Sequence, residues 1–344
     1  MSQKTKKIIR AVGLLVFLAL GIKILTPYVQ SIPESLGALK HLNYGLLALV
    51  IFFEFLKYLS SGNLINSIIG LFKNHVSVWQ ATMIVLASSS FGMVGGGMAG
   101  SAASTFQWLR ERNVKGQAAL MAGILPILFS AASVLVLALV GMIYLFEIGK
   151  LTTPQIRGFL IILALIGLAL VFIFLFFRNS QKSKNFVLKV VAKMEKITKK
   201  NYEKEKILQQ VDEAFEIRDF FFQKGWKNML FANSLIYIFD LLSMYFLFLA
   251  AGMQISPAVV LIGYGLPLIL GKASFVLPGG IGVVESSMIE LFQHVGVPYA
   301  ESVVVALSYR FIAFLVPSIL GFILVFVMQK KDKNKDFNSK MHVE

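Results

Sequence analysis

The chain has 344 residues, 57% of them hydrophobic and only 15% charged, with a mean hydropathy of +0.74. That balance excludes a water-soluble globule and the length excludes one simple hairpin, which leaves a polytopic membrane protein. Basic residues exceed acidic ones, 33 to 18, and the sequence contains no cysteine, so disulfides, thiolate metal sites and thiol nucleophiles play no part.

A helix that crosses a bilayer needs about 20 mostly apolar residues, and six segments meet or approach that length. Residues 8–25 follow Lys4, Lys6, Lys7 and Arg10, an opening that resembles a signal peptide. Thr26-Pro27-Tyr28 offers no small-residue cleavage site, so the segment reads as an uncleaved first helix. Residues 44–59, 117–146, 158–177, 228–250 and 302–328 supply the other five. Two further stretches, 81–108 and 257–292, are apolar but interrupted by glycine or proline.

Lysine and arginine stay on the cytoplasmic side of a membrane. Four lie in the first ten residues, three between Arg110 and Lys115, thirteen in the basic loop 178–227 and five after Met328. Placing these inside gives a multi-pass protein of the cell membrane with both termini cytoplasmic. Stretch 81–108 then begins and ends inside, and stretch 257–292 begins and ends outside. Both are expected to be re-entrant hairpins of opposite orientation.

The same two stretches match in sequence. At a constant offset of 184, Ser90-Phe91 falls on Ser274-Phe275, Gly95-Gly96 on Gly279-Gly280 and Trp108 on Phe292. The expected fold is therefore an all-α polytopic integral membrane protein with about six transmembrane helices plus two re-entrant hairpins arranged as inverted repeats. Repeat one covers 44–146 with its hairpin at 81–108, and repeat two covers 228–328 with its hairpin at 257–292. Many secondary transporters build a midplane site in this way.

Between Arg178 and Lys206, ten basic and three acidic residues accompany Phe186, Val187, Val190, Val191, Met194 and Ile197 at helical spacing. This describes a basic amphipathic helix on the inner leaflet, partnered by anionic lipids at about 1 kcal/mol per lysine. A solvated linker with ordinary positive-inside bias is the plainer alternative. No recognition motif accompanies the charge, so no nucleic acid is expected as a partner.

A re-entrant segment needs protein or water around its backbone, because an unpaired peptide group in hydrocarbon costs several kcal/mol. Leu277-Pro278-Gly279-Gly280-Ile281-Gly282 breaks a helix and lets a ligand or a neighbouring helix reach the backbone. Gly92, Gly96 and Gly100 recur every fourth residue and read better as close helix packing. Ionisable residues inside the apolar segments are the sharper signal: Glu54, Asp240, Lys272, Glu285 and Arg310. Glu54 and Lys57, three residues apart, can neutralise one another and read as structural. Arg310 cannot lose its charge and needs a carboxylate or a phosphate; Glu285 is the candidate carboxylate. The expected substrate-binding set is Arg310, Glu285, Lys272, Asp240, Pro278, Gly279, Gly280 and Gly282. His41, His75, His294 and His342 are scattered without metal-ligand spacing, so neither a metal nor another cofactor is expected.

The run from Leu277 to Glu285, followed by the Arg310 helix, resembles the signature region of the lysylphosphatidylglycerol synthase transmembrane family, which includes the flippase domain of the multiple peptide resistance factor. The resemblance covers roughly residues 7–331. It implies movement of a lipid with a charged head group between leaflets. Two departures stand out: Ser101 occupies the position equivalent to Glu285 in the first hairpin, and no soluble aminoacyl-transferring domain follows Glu344. The chain is accordingly expected to lack lysyltransferase activity.

The leading expectation is a lipid translocase, or flippase, and not an enzyme. Arg310 and Lys272 would receive the phosphate of a phospholipid or polyprenyl-phosphate lipid while Glu285 and Asp240 balance the charge. No G-x-x-x-x-G-K-[ST] sequence occurs, so a P-loop does not drive the motion; it is passive, ion-driven or partner-driven, by the chain alone or as a homo-oligomer. Two alternatives stand beside it: a lipid-modifying membrane enzyme of the phosphatidylglycerol lysyltransferase type with Glu285 or Asp240 as general base, and an ion-coupled transporter of a small solute.

Overall fold

The computed structural model describes residues 42–95, 97–149, 153–198, 203–205, 207–209, 211–212, 215, 225–273 and 280–325. The first expected span at 8–25 and the basic N- and C-terminal segments lie outside the described residues. Regular structure among the described residues is helical: α1 (Tyr44–Leu71), α2 (Val78–Gly95), α3 (Gly97–Arg110), α4 (Gly116–Glu147), α5 (Thr153–Arg178), α6 (Ser180–Thr198), α7 (Trp226–Ala250), α8 (Pro257–Ala273), α9 (Val283–His294) and α10 (Tyr299–Arg310). The last of these runs on through a π-helical turn, Phe311–Leu315, to Val325. Among the described residues, four helices are long and apolar enough to cross a membrane: α1, α4, α7 and the full α10.

Helix α1 is longer than hydropathy suggested, which placed its end at residue 59. Ser60, Ser61, Gly62 and Asn63 lower the apolar average there. The hydroxyls of Ser60 and Ser61 turn back onto the carbonyls of Leu56 and Lys57, at 2.8 and 2.9 Å, so they add no unpaired polar group and the helix continues for three more turns.

The described residues fall into two units, one within 1–150 and 229–344 and one within 151–228. In the larger unit, α2 and α3 fold back on one another as a hairpin. The turn uses Gly97 at φ +51°, and Thr105 donates to Ser88 across the pair at 2.8 Å. Helices α8 and α9 form the second hairpin, with Gly263 against the ring of Phe292 and Gly271 against Val284.

The hairpins start from opposite ends of the bundle. Lys115 N–H donates to Asn74 Oδ1 at 3.2 Å, which ties the start of α4 to the α1–α2 connection; the first hairpin therefore begins and ends beside the end of α1. Asn43 N–H donates to the carbonyl of Ala250 at 2.9 Å, and Phe248 at that end of α7 packs edge-on against Phe292 of α9. The second hairpin therefore begins and ends beside the start of α1.

Helix bounds follow the sequence offset. Adding 184 to Gly97–Arg110 gives 281–294, against the observed Val283–His294, and adding it to the start of α4 gives 300, against Tyr299. Each hairpin rests on the long closing helix of the other half. Ser90 Oγ of α2 donates to the carbonyl of Ser318 at 2.7 Å, whereas α8 meets α4 where Gly265 lies against the backbone of Ala138. At matching points of the two closing helices, α4 carries Pro126 within continuous α-helix and α10 enters its π turn at Phe311.

A Cβ at Gly265 would stand 2.4 Å from the backbone nitrogen of Ala138, where no side chain can yield. Gly265→Ala is thus expected to lower stability by about 1–3 kcal/mol, the usual cost of overpacking. Thermal unfolding in detergent would register it, and Gly70→Ala, which meets open space, should leave the midpoint where it was.

In the smaller unit, α5 turns into α6 at Asn179. Asn179 accepts from the Lys182 N–H at 3.1 Å, Ser183 Oγ donates to the carbonyls of Phe176 and Asn179, and Phe172 meets Phe186 edge-on. A cavity of about 600 Å³ opens at this elbow among Phe172, Phe176, Phe186, Arg178 and Lys182. The amphipathic segment expected within 178–206 forms α6, with Val191 buried and Phe186, Val190 and Met194 exposed. Lys184 pairs with Asp212 at 2.6 Å and Glu195 with Lys204 at 3.0 Å.

Candidate functional site

Where the second hairpin enters α9 it is built from glycine so that two backbones can touch. A Cβ at Gly280 (φ +65°) would lie 2.6 Å from the Cα of Gly271, and Gly282 (φ +86°) forms the N-cap of α9. Both angles are in the left-handed region that side chains with a Cβ avoid. The Gly282 N–H donates to Glu285 Oε2 at 2.6 Å, so a carboxylate in the first turn closes the N-terminus of α9, where negative charge is favoured.

The other oxygen of Glu285 reaches α10. Arg310 Nε donates to Glu285 Oε1 at 2.7 Å, with the two residues 9% and 5% exposed. The guanidinium also lies 4.2 Å from the centre of the Phe314 ring, a cation–π arrangement. Arg310 thus has the carboxylate that its permanent charge required, and the pair sits immediately before the π turn of α10.

A second buried network touches α10 one residue earlier. Tyr309 donates to Asp240 Oδ1 at 2.8 Å and Tyr264 of α8 donates to Asp240 Oδ2 at 2.6 Å. Lys57 Nζ of α1 lies 3.1 Å from Asp240 Oδ1 and 2.5 Å from Glu54 Oε2. One lysine therefore joins two carboxylates from two helices. Tyr58, beside it, donates to the carbonyl of Ala313 inside the π turn at 3.4 Å.

Of the residues singled out from the sequence, the structure brings together Arg310, Glu285, Gly280 and Gly282. It gives Asp240 to the neighbouring network, with Lys57, Tyr264 and Tyr309 as partners. Lys272 falls in the last turn of α8 and its side chain lies outside the described residues, as do Pro278 and Gly279. Ser101, the counterpart of Glu285, packs near Gly92 inside the first hairpin. Sequence reasoning did not reach Tyr264 and Tyr309. Their signal was faint: a phenol buried in an apolar helix needs an acceptor, and Tyr309 precedes the one arginine of its helix. Among the described residues, no three His, Asp or Glu side chains come together as a metal-ligand set.

The sequence model of the lysylphosphatidylglycerol synthase TM region matches residues 9–321. A UPF0104 membrane protein of Methanocaldococcus jannaschii is 32% identical over 161 residues, covering 44% of this chain and 48% of that protein. Another, from Pyrococcus horikoshii, is 30% identical over 193 residues, covering 52% and 56% respectively. The chain spans about half the length of these two relatives. The family match takes in both hairpins and the Arg310–Glu285 pair: this chain is a multi-pass helical membrane protein and belongs to the family of the lysylphosphatidylglycerol synthase TM region.

Proposed function

We propose that the chain moves a lipid with a charged or phosphate-bearing head group between the leaflets of the cell membrane. The observation that carries this reading is the buried Arg310–Glu285 pair at the glycine-built start of α9. An arginine fork matches a phosphate as well as it matches a carboxylate. In the resting arrangement Glu285 occupies it. An arriving phosphate takes the place of Glu285 on Arg310, and the freed carboxylate keeps its bond to the Gly282 N–H. Lys272, in the last turn of α8, adds a second cation for the head group.

The two hairpins, starting from opposite ends of the bundle and crossed onto one another's closing helices, suit alternating access to such a site. Both termini lie in the cytoplasm in this reading. The cavity at the α5–α6 elbow, with Arg178 and Lys182 over phenylalanines, supports anionic inner-leaflet lipids as partners of segment 178–206. Catalysis by Asp240 fits less well, because both its oxygens already hold donors.

Leaflet exchange of fluorescent anionic, lysylated and polyprenyl-phosphate lipids in proteoliposomes tests the proposal. Exchange of at least one class above protein-free vesicles is expected, and its loss in Glu285→Gln would tie it to this site. No exchange of any of the three would sink the reading, and uptake of a small solute by the same vesicles would put solute transport in its place.

A further inference from the structure

The network beside the Arg310 site has an odd number of charges. Glu54 and Asp240 are each acidic and Lys57 alone is basic, so with every group ionised one negative charge is left over where Glu54 is 4% exposed and Asp240 7%. An uncompensated charge in such a place is strongly disfavoured. Something of charge +1 has to belong to the network.

The two carboxylates differ in what they hold. Asp240 takes donors from Lys57, Tyr309 and Tyr264. Glu54 has Lys57 beside Oε2, while Oε1 is buried without a hydrogen-bond partner. Buried oxygens are nearly always partnered. The phenols around Glu54 do not supply the missing hydrogen: Tyr58 gives its own to Ala313, Tyr237 to Ser130, and Tyr264 and Tyr309 to Asp240. Arg310, next along α10, is set against Glu285. A hard metal cation needs several oxygens at once, and those of Asp240 are taken.

We propose that Glu54 is a proton-binding site: it takes one proton from water onto Oε1 in the resting state and returns it to water when α10 moves. Resting on the transport reading above, this makes the proton the coupling ion. With the proton on Glu54, Lys57 belongs to Asp240 and the network is neutral. Without it, Glu54 competes for Lys57 and weakens the hold on Asp240, which is bonded to Tyr309 and so sits one residue from Arg310. Proton release and loosening of α10 at the head-group site become one event.

The test is infrared difference spectroscopy of the full chain in lipid vesicles, cycling the pH, which needs no substrate. Wild type should show the carbonyl stretch of a protonated carboxylic acid that disappears as the pH is raised, unchanged when sodium is replaced by choline. The band should fall to background in Glu54→Gln. It should also vanish in Asp240→Asn, where the remaining two charges balance, and persist in Glu290→Gln, an exposed acid on α9. Should Glu54→Gln fail to fold, the Asp240 variant and the sodium exchange on wild type still decide. A wild type without the band, a band surviving in Glu54→Gln or Asp240→Asn, or one displaced by sodium would overturn the proposal. If lipid exchange fails while the band behaves as expected, the proton site stands and the transport reading falls.

Discussion

Arg310→Ala is expected to abolish lipid exchange in proteoliposomes while the chain still inserts in the membrane. Truncating one member of a buried, hydrogen-bonded charge pair costs about 2–5 kcal/mol, a fall of at least about 30-fold in any rate that depends on it. Part of that cost is the stranded Glu285 carboxylate, so loss of activity in the single variant is not sufficient evidence for a role in transport. The double variant Arg310→Ala, Glu285→Gln removes the stranded charge and should recover stability without recovering exchange. Arg310→Lys should also stay inactive, since an ammonium lacks the planar fork. Normal exchange by a well-folded Arg310→Ala protein would remove the residue from the mechanism.

Lys57→Met should give the largest loss of stability of any single change in the described core. It leaves Glu54 and Asp240 buried with no cation between them, and breaking a buried pair by removing one partner costs about 3–5 kcal/mol. Thermal unfolding in detergent at neutral pH would measure it. The sign of the pH dependence is fixed by the same count of charges: with Glu54 already carrying its proton, acid supplies one to the stranded Asp240, so lowering the pH should narrow the gap to wild type. Neutralising all three together, as Glu54→Gln, Lys57→Met and Asp240→Asn, should restore most of the stability, because a buried ionic cluster can be replaced by neutral groups at little cost. A single variant as stable as wild type would mean that Lys57 is not the centre of the network.

Much of this architecture could be read before any coordinate was known, and the reasons are physical. Apolar length announces a spanning helix, so α4, α7 and α10 begin within three residues of the expected bounds at 117, 228 and 302. The hairpins were legible from the distribution of positive charge: residues 81–108 lie between basic flanks and so leave from and return to one side, while residues 257–292 lie between two spans whose basic ends are the far ones and so leave from and return to the other. Arg310 announced a partner because guanidinium cannot be neutralised by losing a proton, and Glu285 supplies it. What stayed hidden depends on contacts across the chain. Lys57 meets Asp240 at a separation of 183 residues, and no local spacing encodes that. Lys57 looked sufficiently paired with Glu54 three residues away, which concealed the leftover charge. The continuation of α1 past residue 59 was masked by serines whose hydroxyls satisfy themselves within the helix. The π turn left no mark in the apolar run Phe311–Leu315.

That turn gives α10 a mechanical character. Each residue of an α-helix advances the chain by about 100° around the axis, and a π turn carries one residue more than an α turn. Above it, Tyr309 and Arg310 are gripped by Asp240 and Glu285; below it, the Ser318 carbonyl is gripped by Ser90 and Gly321 is seated on Leu86. If the extra residue is absorbed into regular helix, the two halves of α10 twist against each other by about that angle, and both grips cannot be kept. With such a change the helix would act as a torsional clutch between the hairpins, engaged with one when it slipped on the other.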